Sequence, residues 1–191
     1  MKKYFIIHGS FGSPFSNWFP WLASEIENTK PENMEESICY VPHFPTGRNL
    51  QNYENWERVL SSYNCIIAGV GQDEITIFAH SIAPAFVCKY LIKHNIKVHK
   101  LVFVCGFNNY LGVNEDYDHV NKTMFTDNIE QVKDYADEIV CLYSDNDPYV
   151  SYGAEKDFAD KVATKQIEIK GGGHLNKYFG YDTFPELKDF I

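Results

Sequence analysis

A chain of 191 residues with 45% apolar and 23% charged residues can bury a sizeable core, and we expect one domain spanning residues 1–191. Its formal net charge of −9 argues against nucleic acid as a partner, because phosphate backbones require a surface rich in Lys and Arg. The apolar runs are strand-sized and no signal peptide is recognisable, so we expect neither a membrane partner nor export.

Six short apolar runs, each followed by a turn or a helical pattern, predict six strands. In chain order they are Tyr4–His8, Ser37–Val41, Ile75–Ala79, Leu101–Cys105, Ile139–Tyr143 and Gln166–Lys170. Helical periodicity lies between them, from Asn17 to Ile26, Tyr53 to Tyr63, Ile82 to Lys93, Ala154 to Val162 and Phe184 to Ile191. Such alternation is typical of a mainly parallel sheet in a three-layer α/β/α sandwich. The polar segment 107–127 is interpreted as a loop or a small lid.

Cysteine usage indicates the compartment. The five cysteines are odd in number, include no CxxC pair and lie mostly within apolar runs; they are Cys39, Cys65, Cys88, Cys105 and Cys141. Buried, reduced thiols in a cytoplasmic protein are the preferred interpretation, and a disulfide or metal role is the alternative.

A candidate nucleophile stands between the third strand and the following helix. Ser81 is flanked two residues on either side by Ala79 and Ala83, and a nucleophile elbow requires small residues at both positions. Glycine is usual there, and a serine that merely caps the helix is the competing interpretation.

Two further strand ends carry an acid and a histidine. Asp145 and Asp147 follow the fifth strand, and either one is able to serve as the acid of a triad or simply to shape the turn. His174 follows three glycines after the sixth strand, where a flexible connection returns it over the sheet edge. Nucleophile, acid and histidine then occur in the chain order typical of α/β-hydrolases, each beyond a different strand.

The sequence resembles the small α/β-hydrolases of the YdeN and retinoblastoma-binding-protein-9 group of serine hydrolases. The similarity spans the chain through the segments Tyr4–Gly9, Trp18–Leu22, Ala79–Ser81, Leu101–Phe107, Ser144–Asp147 and Gly172–His174. It implies a minimal α/β-hydrolase fold without a large cap and a catalytic triad of Ser81, Asp147 and His174, with Asp147 preferred over Asp145. Ala83 departs from the glycine usual after the nucleophile.

These residues predict a cofactor-independent serine hydrolase of carboxylesterase type that acts on small ester, thioester or amide substrates. The second oxyanion donor, beside the backbone N–H of Ile82, is expected from Ser10 or Phe11 in the glycine-rich turn after the first strand. Trp18 and His80 are candidate substrate contacts, although both are more simply structural. A hydrolase-fold binding protein with little turnover is the main alternative, and a metal-dependent hydrolase finds no HxH or HxxxH spacing to support it.

Overall fold

The computed structural model of the protein describes residues 1–28, 37–68 and 74–191. The strands are β1 (Lys2–Ile7), β2 (Ser37–Tyr40), β3 (Glu74–His80), β4 (Val98–Val104), β5 (Ala136–Ser144) and β6 (Lys165–Ile169). The α-helices are α1 (Phe19–Asn28), α2 (Tyr53–Ser61), α3 (Asn64–Ile67), α4 (Ala83–His94), α5 (Glu115–Asn121) and α6 (Tyr152–Val162). Three 3-10 helices cover Ile129–Tyr135, Lys177–Phe179 and Pro185–Phe190.

The six strands form one sheet in the order β2-β1-β3-β4-β5-β6, and every pairing between described neighbours is parallel. Each predicted strand is found, with ends that differ by up to three residues. Because all strands run the same way, the loops after β1, β3, β5 and β6 leave the sheet at the same edge. Ser81, Asp147 and His174 all lie in these loops.

Side chains alternate between the two faces of the sheet and divide the core into two layers. Along β1, Phe5 and Ile7 join the cluster that α2, α4 and α6 cover, while Tyr4 and Ile6 join the cluster beneath α1 and the C-terminal 3-10 helix. The two clusters make a three-layer α/β/α sandwich, as expected for a minimal α/β-hydrolase fold.

The structure departs from the sequence-based expectations in three places. The segment after β4 contains the seven-residue helix α5, which begins after Asn114, whose side chain accepts the N–H groups of Asp116 and Tyr117. The C-terminal segment is a 3-10 helix. The apolar positions Ala154, Phe158, Ala159 and Val162 predict that the charges of α6 lie on the other face, but the charged residue Glu155 is buried, with 1% exposure. No described helix has both the length and the apolar character needed to cross a membrane.

Candidate active site

Ser81 occupies a sharp turn between β3 and α4. Its backbone has φ of 65°, a left-handed conformation that is costly for a residue with a side chain and typical of a functional turn. The N–H of Ser81 donates to the carbonyl of Val104 (2.9 Å), which fixes the turn to the end of β4. The flanking Ala79 and Ala83 are fully buried, so alanine meets the space requirement that glycine meets elsewhere.

Gly9, at the end of β1, lets a second backbone approach the serine. A Cβ atom at Gly9 would lie 2.6 Å from Ser81 Cβ and 2.9 Å from the carbonyl oxygen of His80, closer than any side chain tolerates. The glycine-rich turn and the nucleophile turn are therefore in direct backbone contact, because β1 and β3 are neighbours in the sheet.

Asp147 and His174 are joined by a short hydrogen bond. His174 Nδ1 donates to Asp147 Oδ2 at 2.5 Å, and the aspartate side chain is fully buried. Asp147 Oδ1 accepts the backbone N–H groups of Tyr149 (2.8 Å) and Val150 (3.1 Å). Burial alone raises the pKa of Asp147, but the hydrogen bonds from His174 and from the backbone outweigh burial and lower it below its usual value.

The neighbouring acid has a different task. Asp145 is exposed, and its Oδ1 accepts the N–H of Gly171 (2.7 Å), which ties the loop after β5 to the loop after β6. Asn146 adds a second tie, since its Oδ1 accepts the N–H of Gly173 (2.7 Å). Of the two acids that the sequence left in competition, Asp147 contacts His174 and Asp145 shapes the turn.

The loop that carries His174 is also held by hydrogen bonds from Trp18 and His80. Trp18 is fully buried and its Nε1–H donates to the carbonyl of Leu175 (3.1 Å), while His80 Nε2–H donates to the carbonyl of His174 (3.0 Å). Gly173 has φ of 57° and lies so close to the Phe179 ring that no side chain fits. Of the two interpretations of Trp18, its burial and its bond to Leu175 favour the structural one, since it is not among the residues that line the cavity.

The two other histidines of this region are buried and uncharged. Burial lowers the pKa of His80 to about 3 and that of His8 to about 4. His8 Nε2 accepts the N–H of Phe44 (3.1 Å), which places the loop after β2 against the end of β1. Both rings act as fixed hydrogen-bonding groups in the framework, and only His80 lines the cavity.

A buried amide network connects the turn after β1 to helix α5. The N–H of Phe11 donates to Gln51 Oε1 (3.0 Å), and Gln51 Nε2–H donates to Asn121 Oδ1 (2.9 Å). The Ser10 hydroxyl donates to the same Asn121 oxygen (2.6 Å). Phe11 thus has its N–H engaged, whereas the N–H groups of Ser10 and Ile82 have no acceptor among the described residues.

Ser81 and His174 open into a common cavity of about 310 Å³. One side is formed by the loops that carry the candidate triad, and the other side by residues of the segment after β4, namely Phe107, Leu111, Val113, Asn114 and Tyr117. In the described structure the Ser81 hydroxyl makes no hydrogen bond to His174, a contact that often tightens only when substrate binds. The segment predicted as a loop or lid is thus a wall of the cavity.

Two sets of possible metal ligands surround the same position. His80, Cys105 and His174 form one set, and Cys105, Asp147, Glu155 and His174 form the other, with ligand atoms within 4.8 Å of one another. Burial raises the pKa of the Cys105 thiol well above its usual value, and zinc binds the thiolate. Cys105 belongs to both sets, so its protonated thiol weighs against a metal centre at this position.

Sequence reasoning missed Gln51, Asn121, Asn146 and Glu155. Gln51, Asn121 and Glu155 lie in segments whose polar character predicts exposure, so only their burial in the structure reveals a role. Asn146 lies within the Ser144–Asp147 motif, where an amide between two acids is typical of a turn and gives no sign of the bond to Gly173.

The serine hydrolase family model matches residues 4–191 of this chain. YdeN of Bacillus subtilis is 23% identical over 194 residues, which cover 100% of this chain and 94% of YdeN. The crystal structure of the ydeN gene product superposes with a TM-score of 0.82 over 100% of this chain and 96% of that one. The resemblance to the YdeN-like family is confirmed.

Two further solved structures share the fold at lower identity. Est1E from Butyrivibrio proteoclasticus, solved with ferulic acid bound, has a TM-score of 0.68 and 16% identity, with 98% of this chain and 85% of that chain covered. A lipase-esterase related protein from Clostridium acetobutylicum has a TM-score of 0.65 and 14% identity, with coverage of 100% and 94%. These likenesses confirm the minimal α/β-hydrolase fold.

Proposed function

Because this chain belongs to the serine hydrolase family, we propose that it cleaves small ester, thioester or amide substrates through a covalent acyl-enzyme on Ser81. The observation that carries the proposal is the position of Ser81: a residue held at positive φ in a strand-to-helix turn, sharing one cavity with a histidine whose Nδ1 is bound to a buried aspartate. This constellation performs acyl transfer on several unrelated folds.

The reaction divides into acylation and deacylation. Ser81 Oγ attacks the substrate carbonyl carbon while His174 Nε2 takes its proton, and the tetrahedral intermediate collapses as His174 returns that proton to the leaving group. Water then attacks the acyl-enzyme with the same proton relay, which releases the acid and restores Ser81. Asp147 keeps the Nδ1–H tautomer of His174 and stabilises its charged form.

The oxyanion donors in this proposal are the backbone N–H groups of Ile82 and Ser10. The N–H of Phe11, the other residue expected from the sequence, already donates to Gln51 Oε1. Each preorganised donor contributes about 2.7–4 kcal/mol to transition-state stabilisation in measured serine hydrolases. Because both donors belong to the backbone, their placement depends on the contact between Gly9 and Ser81.

We also propose that the acyl group is small and at least partly apolar. The cavity is at the lower end of the range for ligand sites, and Phe107, Leu111, Val113 and Tyr117 give its outer wall an apolar surface. The Est1E structure holds ferulic acid, so an aryl ester belongs in the substrate panel beside short alkyl esters.

A reducing compartment such as the cytoplasm suits the five unpaired cysteines.

A fluorophosphonate probe tests the proposal and its main alternative together. The folded protein is expected to be labelled on Ser81, and hydrolysis of p-nitrophenyl acetate is expected to stop in proportion to labelling. Absence of labelling and of turnover on alkyl, aryl and thioester substrates would support a hydrolase-fold binding protein. Activity that survives chelators is expected, and loss of activity on chelation would favour the metal-dependent alternative.

A further inference from the structure

Glu155 lies behind the candidate triad and takes no part in the mechanism described above. It belongs to the first turn of α6 and is 1% exposed. Its Oε2 accepts the N–H of Ser144 at the end of β5 (3.2 Å), while its Oε1 is buried with no hydrogen-bond partner among the described residues. A buried polar atom without a partner is rare and calls for a physical reason.

The neighbours of this carboxyl group come from three loops of the sheet edge. Cys105 Sγ after β4, a carboxylate oxygen of Asp147 after β5 and a ring nitrogen of His174 after β6 lie with it in a cluster whose ligand atoms are all within 4.8 Å. In the described part of the chain, no Lys or Arg forms an ion pair with Glu155. The group therefore faces an anion, a thiol and an imidazole.

An ionised carboxylate at Glu155, beside the ionised Asp147 in the protein interior, would be unfavourable in free energy. Burial and, next in size, the negative charge of Asp147 raise the pKa of Glu155 to about 9. The group is consequently neutral near pH 7 and carries an O–H donor on one of its oxygens. With Oε2 occupied as the acceptor for Ser144, the proton belongs on the otherwise unpartnered Oε1.

Asp147 has room for one more donor. A carboxylate offers about four acceptor positions, and Asp147 uses three of them for Tyr149, Val150 and His174. We propose that Glu155 is a positioning residue whose protonated carboxyl group donates a hydrogen bond to the Asp147 carboxylate and through it fixes His174. The inference rests on the roles proposed for Asp147 and His174.

This arrangement gives the triad a support that adds no charge. A neutral donor stabilises the ionised form of Asp147 and places no second negative charge beneath His174. When Glu155 loses its proton in alkali, two adjacent carboxylates repel each other beneath His174. The alignment of the base is then weakened.

Difference infrared spectroscopy of the full-length protein and its Glu155→Gln variant reads the protonation state directly. We expect the C=O stretch of a protonated carboxylic acid at pH 7, absent from Glu155→Gln and lost from the wild type with a midpoint near pH 9. Absence of the band at pH 7 would overturn the proposal. Because this measurement needs no turnover, it stands even if the proposed hydrolase activity is not found.

Kinetics then separate positioning from a purely structural role. Glu155→Gln keeps the acceptor for Ser144 and a neutral donor, so we expect kcat at pH 7 within about threefold of the wild type. Glu155→Leu keeps neither and is expected to lose about tenfold to a hundredfold in kcat with little change in KM. The alkaline loss of wild-type activity near pH 9 should disappear in Glu155→Gln.

Persistence of the same alkaline loss in Glu155→Gln, or equal damage at pH 7 from Gln and Leu, would contradict the positioning role. If Glu155→Leu does not fold, the comparison between the wild type and Glu155→Gln decides the question alone.

Discussion

The two sides of the cavity are built differently. On the side of Asp147 and His174, the loops are anchored by the buried hydrogen bond of Trp18 to the carbonyl of Leu175 and by the part-buried hydrogen bond of Asn146 to the N–H of Gly173. The opposite wall exposes apolar side chains such as Val113, with 61% of its surface in contact with solvent, and its segment is tied to the body through hydrogen bonds of Asn121, Thr123 and Phe125. The candidate triad thus lies on the more tightly hydrogen-bonded side, and the side proposed to meet the acyl group is the more exposed one.

The largest effect on the more tightly hydrogen-bonded side is expected from the nucleophile itself. Ser81→Ala should reduce kcat on p-nitrophenyl acetate by about 10³–10⁶-fold, since no other described hydroxyl takes its place, while the melting temperature stays within a few degrees. The fluorophosphonate label should disappear in the same variant. Retention of turnover above one tenth of the wild type would remove Ser81 from the mechanism.

The two acids of one loop provide a matched pair. Asp147→Asn should lower kcat by about 10³–10⁴-fold, because the amide favours the wrong tautomer of His174. Asp145→Asn keeps an acceptor for the Gly171 N–H and should change kcat by less than about fivefold. Equal losses in the two variants, measured under saturating substrate, would show that loop shape rather than histidine orientation controls the rate.

The protonation of Glu155, which lies behind the Asp147 loop, should make the stability of the protein depend on pH. The pKa of Glu155 is raised in the folded state, so its neutral form favours folding below about pH 4.5, and this contribution is lost progressively up to about pH 9. Glu155→Gln should therefore become more stable than the wild type as pH rises, by up to about 3 kcal/mol at pH 7. Urea denaturation at pH 5, 7 and 9 measures the difference, and a constant difference would contradict the shift.

A smaller effect is expected from the anchor in the helix layer. Trp18→Phe leaves the buried carbonyl of Leu175 without its donor and should cost about 1–3 kcal/mol of stability, with a loss of kcat of about tenfold. Trp21→Phe, in helix α1 just after Trp18, is the control and should change kcat less than twofold. An unchanged kcat in Trp18→Phe would mean that the other anchors suffice for His174.

The smallest effects on rate should come from the more exposed wall. Tyr117→Ala is expected to raise KM for aryl esters by about two- to tenfold while kcat changes little, because the lost contact contributes mainly to binding. Tyr110→Ala, in the same segment but outside the cavity lining, is the control. A preference among acyl groups that is identical in both variants would show that this wall does not select the substrate.

The strands could be predicted because burial on both faces leaves continuous apolar runs such as Leu101–Val104, and strand order then placed the serine, acid and histidine loops at one edge. Helix α5 escaped prediction because only Val120 and Asn121 of it are buried, although Asn114 followed by two acids is a recognisable start. Glu155 escaped because a charged residue is expected at the surface, although its spacing to Phe158, Ala159 and Val162 places it on the buried face of α6. Its burial depends on Cys105 and Asp147, which are distant in sequence.

The contact between Gly9 and Ser81 has a consequence for how this site tolerates mutation. A methyl group at position 9 would collide with the nucleophile turn, so this position admits only glycine without a shift of the backbone. Ser10, Phe11 and Ile82 are under no such restriction as far as their N–H groups are concerned, because every residue except proline supplies the same donor. Random substitution at this edge of the sheet should therefore eliminate variants of Gly9, whereas Ile82, which is fully buried, and Phe11, which has φ of 54°, are restricted by packing and by backbone conformation.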